Sequence, residues 1–296
     1  MHIDSLKYFY DVAINKSIST VAKQSHISQS ALSQQLLKLE SKLNVKLLNR
    51  SNKGVSLTPE GEILFKHCET IINTYQKMED ELSSSILKKN YLSIEAIESI
   101  SSTFLPIAIS KLKNSFPDYM INLTSLYSCS FTNLLNNICD IYLCYKKPED
   151  YEGLIINQLG NDSIVLVADS SFHKNSLTLE EFSTVPFIET CEKDSLNLLV
   201  KQTINDISPD FNGFNTIYST NSYFSTLNGL KSSKAVTFIP KSLYNNYSIN
   251  SSLKLIHVEN IKLSIPLYIC YFDSFYKTHS TFIKSLKSII RGLLIK

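Results

Sequence analysis

The first 45 residues carry apolar side chains at the spacing of three successive helices. In the first segment Asp4 or Ser5 would serve as the N-cap, and the apolar positions that follow are Leu6, Phe9, Tyr10 and Ala13. A shorter segment follows Ser19, from Thr20 to Gln24, and a third begins after Ser28. In the third segment the apolar positions step by four, three and four residues, which predicts one buried stripe of Leu32, Leu36, Leu39 and Leu43.

The opposite face of the third helix consists mostly of short hydroxyl and amide side chains: Ser30, Ser33, Gln34, Leu37, Lys38 and Ser41. Short polar side chains let a helix enter a major groove, where Gln can make two hydrogen bonds to adenine and an apolar group can contact the methyl group of thymine. A solvated helix face is the alternative interpretation, but the residues that follow favour the groove.

Those residues predict a small hairpin. Val45, Leu47 and Leu48 alternate into Arg50, a turn ends at Gly54, and apolar positions return at Val55 and Leu57. Arg50 and Lys53 would lie at the hairpin tip, within reach of phosphates or a minor groove. Helix, turn, helix and basic wing together predict a DNA-binding domain over residues 1–58.

Charge is unevenly distributed along the chain. Residues 1–58 contain eight Lys or Arg against three acidic residues, a net charge of +5, so the remainder carries −3 of the overall +2. A basic first fifth on a mildly acidic body indicates that nucleic acid meets the amino terminus.

A long helix is predicted next. Thr58, Pro59 and Glu60 form a helix start, and a two-per-heptad seam then runs for about three heptads through Leu64, Cys68, Ile71, Tyr75, Met78 and Leu82. An ordinary amphipathic helix is the alternative to pairing through this seam. Residues 83–85 and 88–90 mark a hinge.

Residues 91–296 show an α/β pattern. Short β-prone runs at 91–97, 121–126, 141–145 and 164–168 alternate with helical segments at 104–115 and 132–138, which indicates βαβ units.

Composition and missing motifs exclude other classes of protein. Hydrophobic residues make up 43% and charged residues 19% of the chain, as in ordinary globular proteins. Its start lacks the pattern of a signal peptide and its apolar runs are too short to span a bilayer, so we expect a cytoplasmic protein without a membrane partner. The seven glycines form no phosphate loop, the six histidines have no metal-ligand spacing and no nucleophile elbow is present. We therefore expect no enzyme, catalytic residue, metal or cofactor.

The segment from Leu6 to Gly61 resembles the DNA-binding domain of LysR-type transcriptional regulators. The matching positions are Leu6, Phe9, Ser19, Ala22, Ser28, Gln29, Ala31, Leu32, Ser33, Gln35, Leu39, Glu40, Leu43, Val45, Leu47, Arg50, Gly54, Leu57, Thr58 and Gly61. The chain departs from the family with Ser25 for leucine, Ser30 for proline, Gln34 and Leu37 for arginines, Asn44 for glycine and Leu48 for phenylalanine.

This resemblance implies an all-α winged helix-turn-helix with a long linker helix, followed by a two-lobed α/β domain like a periplasmic binding protein. The boundaries would be 1–58 for the DNA-binding domain, 59–90 for the linker and hinge, and 91–296 for the effector domain. Lobe one would span 91–163 and 265–296, and lobe two 164–264. Sparser matches support this half: Leu105-Pro106, Phe116-Pro117, Asp140, Pro186-Phe187-Ile188, Ile239-Pro240 and Pro266-Leu267-Tyr268. The family pairs through its linker helix, so a homodimer or homotetramer is expected, with double-stranded DNA, a small effector and RNA polymerase as partners.

The residue types also indicate the kind of operator. The chain has two arginines, Arg50 and Arg291, so the recognition helix cannot read guanine through Arg. We expect an A·T-rich, interrupted inverted repeat, bound by Gln29, Ser30, Ser33, Gln34, Lys38, Arg50 and Lys53.

The effector is expected to be small and anionic and to bind between the lobes. Hydroxyls follow the first predicted strand, and Pro106 places the start of the next helix near Thr103, with its free N–H groups turned to that edge. Family members that sense carboxylates often carry a basic residue where Lys146 stands. The candidate residues are Ser99, Ser101, Ser102, Thr103, Ser128, Lys146, Thr220 and Asn221. A solvated loop and a surface lysine are the alternatives.

A thiol-sensing regulator of the same family is the alternative function. The six cysteines are Cys68, Cys129, Cys139, Cys144, Cys191 and Cys270, none in a Cys-x-x-Cys pair. Cys139 and Cys144 are nearest, but on one strand their odd separation would put them on opposite faces.

Overall fold

The computed structural model describes residues 2–51, 54–86, 90–127, 129–190, 195–211, 213–247, 252–259 and 261–294. The chain forms two compact units, residues 1–87 with 136–138 and residues 88–135 with 139–296. No helix in the described ranges is long and apolar enough to cross a membrane.

The first unit contains four helices and one hairpin: α1 (Ile3–Asn15), α2 (Ile18–Gln24), α3 (Gln29–Leu43), β1 (Leu48–Ser51), β2 (Gly54–Leu57) and α4 (Pro59–Ile86). The two strands pair antiparallel, with Leu48 opposite Leu57. The expected hairpin is therefore present, and the expected all-α class is too narrow, because the wing is a two-stranded sheet.

Side-chain caps set the starts of two helices in this unit. The Ser28 hydroxyl accepts the Ala31 N–H at 3.1 Å, as the sequence predicted. Helix α2 begins earlier than predicted, because the hydroxyl of Ser17, rather than Ser19, accepts the Thr20 N–H at 3.3 Å. Helix α1 also begins earlier than predicted, at Ile3, so that Asp4 lies in its first turn, where the helix dipole favours an acid.

The core of the first unit is the predicted apolar stripe, with one exception. Leu32, Leu36 and Leu39 are buried and pack with residues of α1 and β1. Leu43 is 38% exposed, contrary to prediction. It is the last residue of α3, and Asn44 ends the helix in a left-handed conformation (φ 54°), which asparagine tolerates better than most residues.

The second unit is built on one curled sheet. Its strands are β3 (Asn90–Ile97), β4 (Tyr119–Leu126), β5 (Ile141–Cys144), β6 (Leu154–Asp169), β7 (Ser176–Leu177), β8 (Pro186–Thr190), β9 (Asn215–Thr220), β10 (Val236–Pro240), β11 (Leu253–Val258) and β12 (Leu263–Phe272). Its helices are α5 (Glu98–Ser101), α6 (Phe104–Ser115), α7 (Thr132–Leu135), α8 (Ser195–Ile207), α9 (Tyr223–Ser233), α10 (Lys241–Tyr247) and α11 (Asp273–Leu294).

The strand order along the main path of the sheet is β4-β3-β5-β12-β6-β10-β8-β9. Strand β3 pairs in parallel with β4 and β5, and β8 pairs in parallel with β9 and β10. Between these two parallel sets run β6 and β12, which pair antiparallel with each other. Strand β6 is 16 residues long, and its last part also pairs with β10.

Three local expectations in this unit need correction. The predicted strand at 164–168 is only the end of β6, because polar residues and Gly160 interrupt the apolar pattern before it. The predicted helix at 132–138 ends at Leu135, and Asn137 has a left-handed backbone conformation (φ 55°). The hydroxyl run after β3 begins with the short helix α5 rather than a loop.

Candidate functional site

The polar face of α3 is turned outward. Gln29, Ser30, Gln34 and Lys38 are exposed and Ser33 is half-buried, while the opposite face packs in the core of the first unit. Five of the seven sequence-predicted DNA-binding residues thus lie on one accessible helix, and the short side chains would let it approach the base edges closely.

An exposed leucine lies in the middle of this polar face. Leu37 is 53% exposed, and helix geometry puts it beside Ser33, Gln34 and Ser41. A large apolar side chain among hydroxyls and amides on a recognition helix is suited to contact with a thymine methyl group.

Of the two basic residues predicted on the wing, the structure describes Arg50. Arg50 lies on β1 rather than at the tip, opposite Val55, and its Nη2 is 3.3 Å from the Glu40 carboxylate. Arg50 is therefore held against α3 by an ion pair. Lys53 lies outside the described residues.

Glu40 joins the recognition helix to the wing. One of its carboxylate oxygens accepts the N–H groups of Leu47 at 2.8 Å and Leu48 at 3.1 Å, and the other faces Arg50. Sequence reasoning gave Glu40 no role beyond the family match. The sequence feature that could have indicated a role for Glu40 is an acid near the end of a helix whose exposed residues are uncharged or basic.

The wing is joined as closely to the linker helix. The Thr58 hydroxyl donates to the Lys46 carbonyl at 2.6 Å and accepts the Gly61 N–H at 3.0 Å. A Cβ on Gly61 would lie 2.1 Å from the Leu47 carbonyl oxygen. Only glycine fits there, so α4 starts in direct backbone contact with the wing.

The predicted seam of α4 divides into two parts. Cys68 is buried and Leu64 half-buried against the helix-turn-helix core, and the ring of Tyr75 lies under Lys7. The remaining three positions are exposed, by 38% to 59%: Ile71, Met78 and Leu82.

The hydroxyl run after β3 is engaged with its own backbone. Ser101 and Ser102 donate to the Glu98 carbonyl at 3.1 and 2.6 Å. Thr103, which is buried, donates to the Ser99 carbonyl at 2.5 Å. Ser99 is fully buried. These side chains stabilise α5 and the turn that follows it.

The carboxylate of Glu98, which the sequence did not single out, reaches the start of α9. It accepts the Ser222 hydroxyl at 3.2 Å and the Tyr223 N–H at 2.9 Å. The adjoining Thr220 hydroxyl accepts the Ser222 N–H at 3.3 Å, and Asn221 is exposed. The structure thus brings α5 next to Thr220 and Asn221.

Lys146 lies in a different place. It is exposed and lines a cavity of about 240 Å³ with Lys147, Phe131, Leu135, Tyr151 and Leu154, among other residues. None of the other predicted effector residues lines this cavity. Ser128 falls outside the described residues.

A second carboxylate, that of Asp162 on β6, is buried at the start of α10. It accepts the Tyr145 hydroxyl at 3.0 Å and the Ser242 hydroxyl at 2.5 Å. Burial raises the pKa of this carboxyl, although the hydrogen bonds from Ser242 and Tyr145 oppose the rise.

The described cysteines do not favour redox sensing, because the thiols of Cys144 and Cys68 are held in their protonated form. Cys139 precedes β5 rather than lying on it, and it packs in the same apolar cluster as Cys144 and Cys270, so the expectation of opposite faces does not apply. Hydrogen bonding to Cys129 and Cys270, together with burial, raises the pKa of the Cys144 thiol, and burial raises that of Cys68 to about 11. Thiols that stay protonated are weak nucleophiles, which disfavours the thiol-sensing alternative; Cys191 lies outside the described residues. Within the described ranges no group of His, Cys, Asp or Glu is arranged to hold a metal ion.

Comparison with known proteins assigns both halves of the chain. Residues 3–62 match the bacterial regulatory helix-turn-helix proteins of the lysR family, and residues 87–279 match the LysR substrate binding domain. The HTH-type transcriptional regulator AlsR of Bacillus subtilis (strain 168) is 25% identical over 276 residues, which cover 92% of this chain and 90% of AlsR.

The fold is shared with solved structures as well. The crystal structure of CbnR, a LysR family transcriptional regulator, has a TM-score of 0.73 at 16% identity, covering 99% of both chains. Full-length CbnR complexed with its target DNA has a TM-score of 0.70 at 17% identity, covering 99% of this chain and 100% of that one. Since the two family matches cover most of the sequence, the chain belongs to the LysR family and is a transcriptional regulator with a DNA-binding helix-turn-helix and an effector-binding domain.

Proposed function

We propose that this regulator binds an A·T-rich, interrupted inverted repeat through α3. Gln29, Ser33 and Gln34 contact base edges, and Ser30 and Lys38 support them. The observation that carries the proposal is the exposed face of α3, which offers amides, hydroxyls and Leu37 but no arginine. Amides suit adenine and a leucine suits the thymine methyl group. Guanine is most often read by arginine or lysine, and of these the face carries Lys38, which has a supporting role in this proposal.

Contact with the DNA backbone is the proposed role of the wing. Arg50 is 31% exposed at its side chain and paired with Glu40, so it is held in one orientation. Such a residue is suited to positioning the domain on phosphates rather than to reading sequence. We propose the same contact with the DNA backbone for Lys53, which was predicted on the wing together with Arg50.

Replacement of Gln34 by Ala tests the recognition face. The preferred site is first selected from randomised duplex DNA with the wild-type protein. We expect Gln34→Ala to weaken binding to that site by about 1–3 kcal/mol and to relax selectivity at one position of each half-site. Fluorescence anisotropy on the selected site and on single-base variants measures both effects. Gln76→Ala, the same change on α4, serves as the control. A Gln34→Ala protein that bound as tightly and as selectively as wild type would refute the assignment.

We further propose that the second unit is a two-lobed domain of the periplasmic-binding-protein type. Its lobes meet where β6 and β12 pass between the two parallel strand sets, with lobe one at 91–163 and 265–296 and lobe two at 164–264. Domain limits of 1–58, 59–90 and 91–296 are part of the same proposal. A small carboxylate is the proposed effector, and support for this class comes from the Glu98 carboxylate seated at the start of α9.

The effector class is tested by a matched thermal-shift screen of carboxylates, amines and neutral sugars. We expect carboxylates to raise the melting temperature of the wild-type protein, and the rise to shrink in the Ser102→Ala, Lys146→Ala variant. Ser102 anchors the backbone of Glu98, and Lys146 is the exposed cation among the proposed effector residues. An amine or sugar that stabilises both proteins equally would overturn the proposal.

Assembly is proposed to occur through the linker helix. The exposed apolar positions Ile71, Met78 and Leu82 support a homodimer formed along α4, and the family resemblance extends this to a homotetramer. RNA polymerase would be the further partner of such a regulator acting as an activator.

A further inference from the structure

Glu98 connects two parts of the sheet that are distant in strand order. It follows β3, whereas Ser222 and Tyr223 follow β9, and five strands separate β3 from β9. Its carboxylate nevertheless lies 2.9 Å from the Tyr223 amide nitrogen and 3.2 Å from the Ser222 hydroxyl. In the lobes proposed above, an acidic side chain of lobe one therefore occupies the start of a helix in lobe two.

Hydrogen bonds from the residues that follow it fix the backbone of Glu98. Its backbone carbonyl accepts the Ser101 hydroxyl, the Ser102 hydroxyl and the Ser102 N–H, at 3.1, 2.6 and 3.0 Å. The hydroxyl run thus holds the residue that reaches across. On the other side Ser222 is the N-cap of α9, an 11-residue helix whose free N–H groups and dipole favour a negative charge.

A comparison with Asp162 shows that the Glu98 contact is the more accessible of the two. Both carboxylates bind a serine hydroxyl at the start of a lobe-two helix. Asp162 is only 4% exposed and also accepts the Tyr145 hydroxyl, so a small molecule cannot reach this contact without opening the core. Glu98 is half-buried, and a small molecule could take its place without opening the core.

We propose that Glu98 is a latch that ties lobe one to lobe two in the free protein, and that a carboxylate effector acts by displacing it from the start of α9. Two ionised carboxylates a few ångströms apart repel each other, so the start of α9 favours one of them at a time. The effector must therefore compete with the protein's own side chain, and its binding releases the tie. This inference rests on the proposed effector class but not on the DNA contacts.

Removal of the latch is measured by hydrogen–deuterium exchange at residues 223–226 of the full-length protein. We expect Glu98→Ala to speed exchange at the Tyr223 amide on the order of tenfold, because its hydrogen bond to a charged group is lost. Glu98→Gln, which keeps the shape but not the charge, should give a smaller increase. Glu152→Ala, an exposed acid in the same lobe, is the control and should leave exchange unchanged.

Chemical rescue then tests the anion seat. Acetate, added against chloride at equal ionic strength, should restore slow exchange in Glu98→Ala, and methylammonium should not. Exchange at wild-type rates in both Glu98 variants, or an increase that acetate leaves in place, would overturn the latch.

Failures of the separate proposals are distinguishable. Acetate rescue of Glu98→Ala without any carboxylate that binds the wild type would leave the latch standing and reject the effector class. Unaltered exchange in a protein that still binds its selected DNA site would reject the latch alone.

Discussion

At the scale of single residues, Glu95 is a buried carboxyl whose ionisation should affect stability. It lies on β3 and is only 5% exposed. Its carboxyl accepts the Asn133 side-chain amide at 2.8 Å and a hydrogen bond from the Cys139 thiol. Burial raises the pKa of this carboxyl above its ordinary value of 4.5, although the hydrogen bonds from Asn133 and Cys139 oppose the rise. The ionised form is therefore the unfavourable one in the folded protein.

Glu95→Gln should stabilise the protein, and more so as the pH rises. Because the folded pKa lies above the unfolded one, the stability linked to protonation is complete below the unfolded value and is lost as the pH rises through the folded value. We expect little difference between the proteins below pH 4.5 and a gain of roughly 1–3 kcal/mol for the variant at higher pH. Urea unfolding at a series of pH values measures it, with Glu149→Gln as an exposed control. Parallel pH profiles for wild type and Glu95→Gln would contradict this account.

At the scale of elements, the linker helix shows how far a periodic pattern can be trusted. The repeat correctly predicted a long helix from Pro59. It did not reveal that Leu64 and Cys68 pack on the helix's own domain while Ile71 and Met78 remain exposed. A heptad pattern records which side of a helix is apolar but not which neighbour covers it.

The exposed half of the seam carries the assembly prediction. Ile71→Asp combined with Met78→Asp would bury unpaired charge in a dimer, at a cost of roughly 3–5 kcal/mol. Sedimentation velocity should therefore show the double variant as a smaller species than wild type at the same concentration. Asn73→Asp adds a charge on the side of α4 turned away from these residues and should sediment like wild type. Unchanged assembly of the double variant would rule out pairing through this face.

The same limit applies to strands. The β-prone runs at 91–97, 121–126 and 141–145 correspond to β3, β4 and β5, since each is a short run that is rich in β-branched and other apolar residues. The first ten residues of β6 were missed because Asn157, Gln158, Gly160 and Asn161 break the apolar pattern. Pairing with β12 along this whole stretch, rather than intrinsic preference, keeps it extended.

At the scale of the whole molecule, local signals sufficed for the DNA-binding domain and not for the effector domain. Caps, stripes and a glycine turn follow one another within 60 residues, so the helix-turn-helix and wing could be predicted. Strand order and the curl of the sheet depend on long-range pairing. For that reason the sequence grouped Lys146 with Ser102, although the structure places Lys146 in a separate cavity, and it gave no sign that Glu98 would meet Ser222.

The contact of Gly61 with the Leu47 carbonyl has a mechanical consequence. Helix α4 has 28 residues, so it is about 42 Å long, and its first turn lies against the wing. A change of about 10° in the direction of the helix at that contact would move its far end by about 7 Å. A methyl group at position 61 would lie 2.1 Å from the Leu47 carbonyl oxygen. The displacement needed to relieve that contact would be magnified along the helix. The absence of a side chain at Gly61 therefore fixes the direction of the whole linker helix.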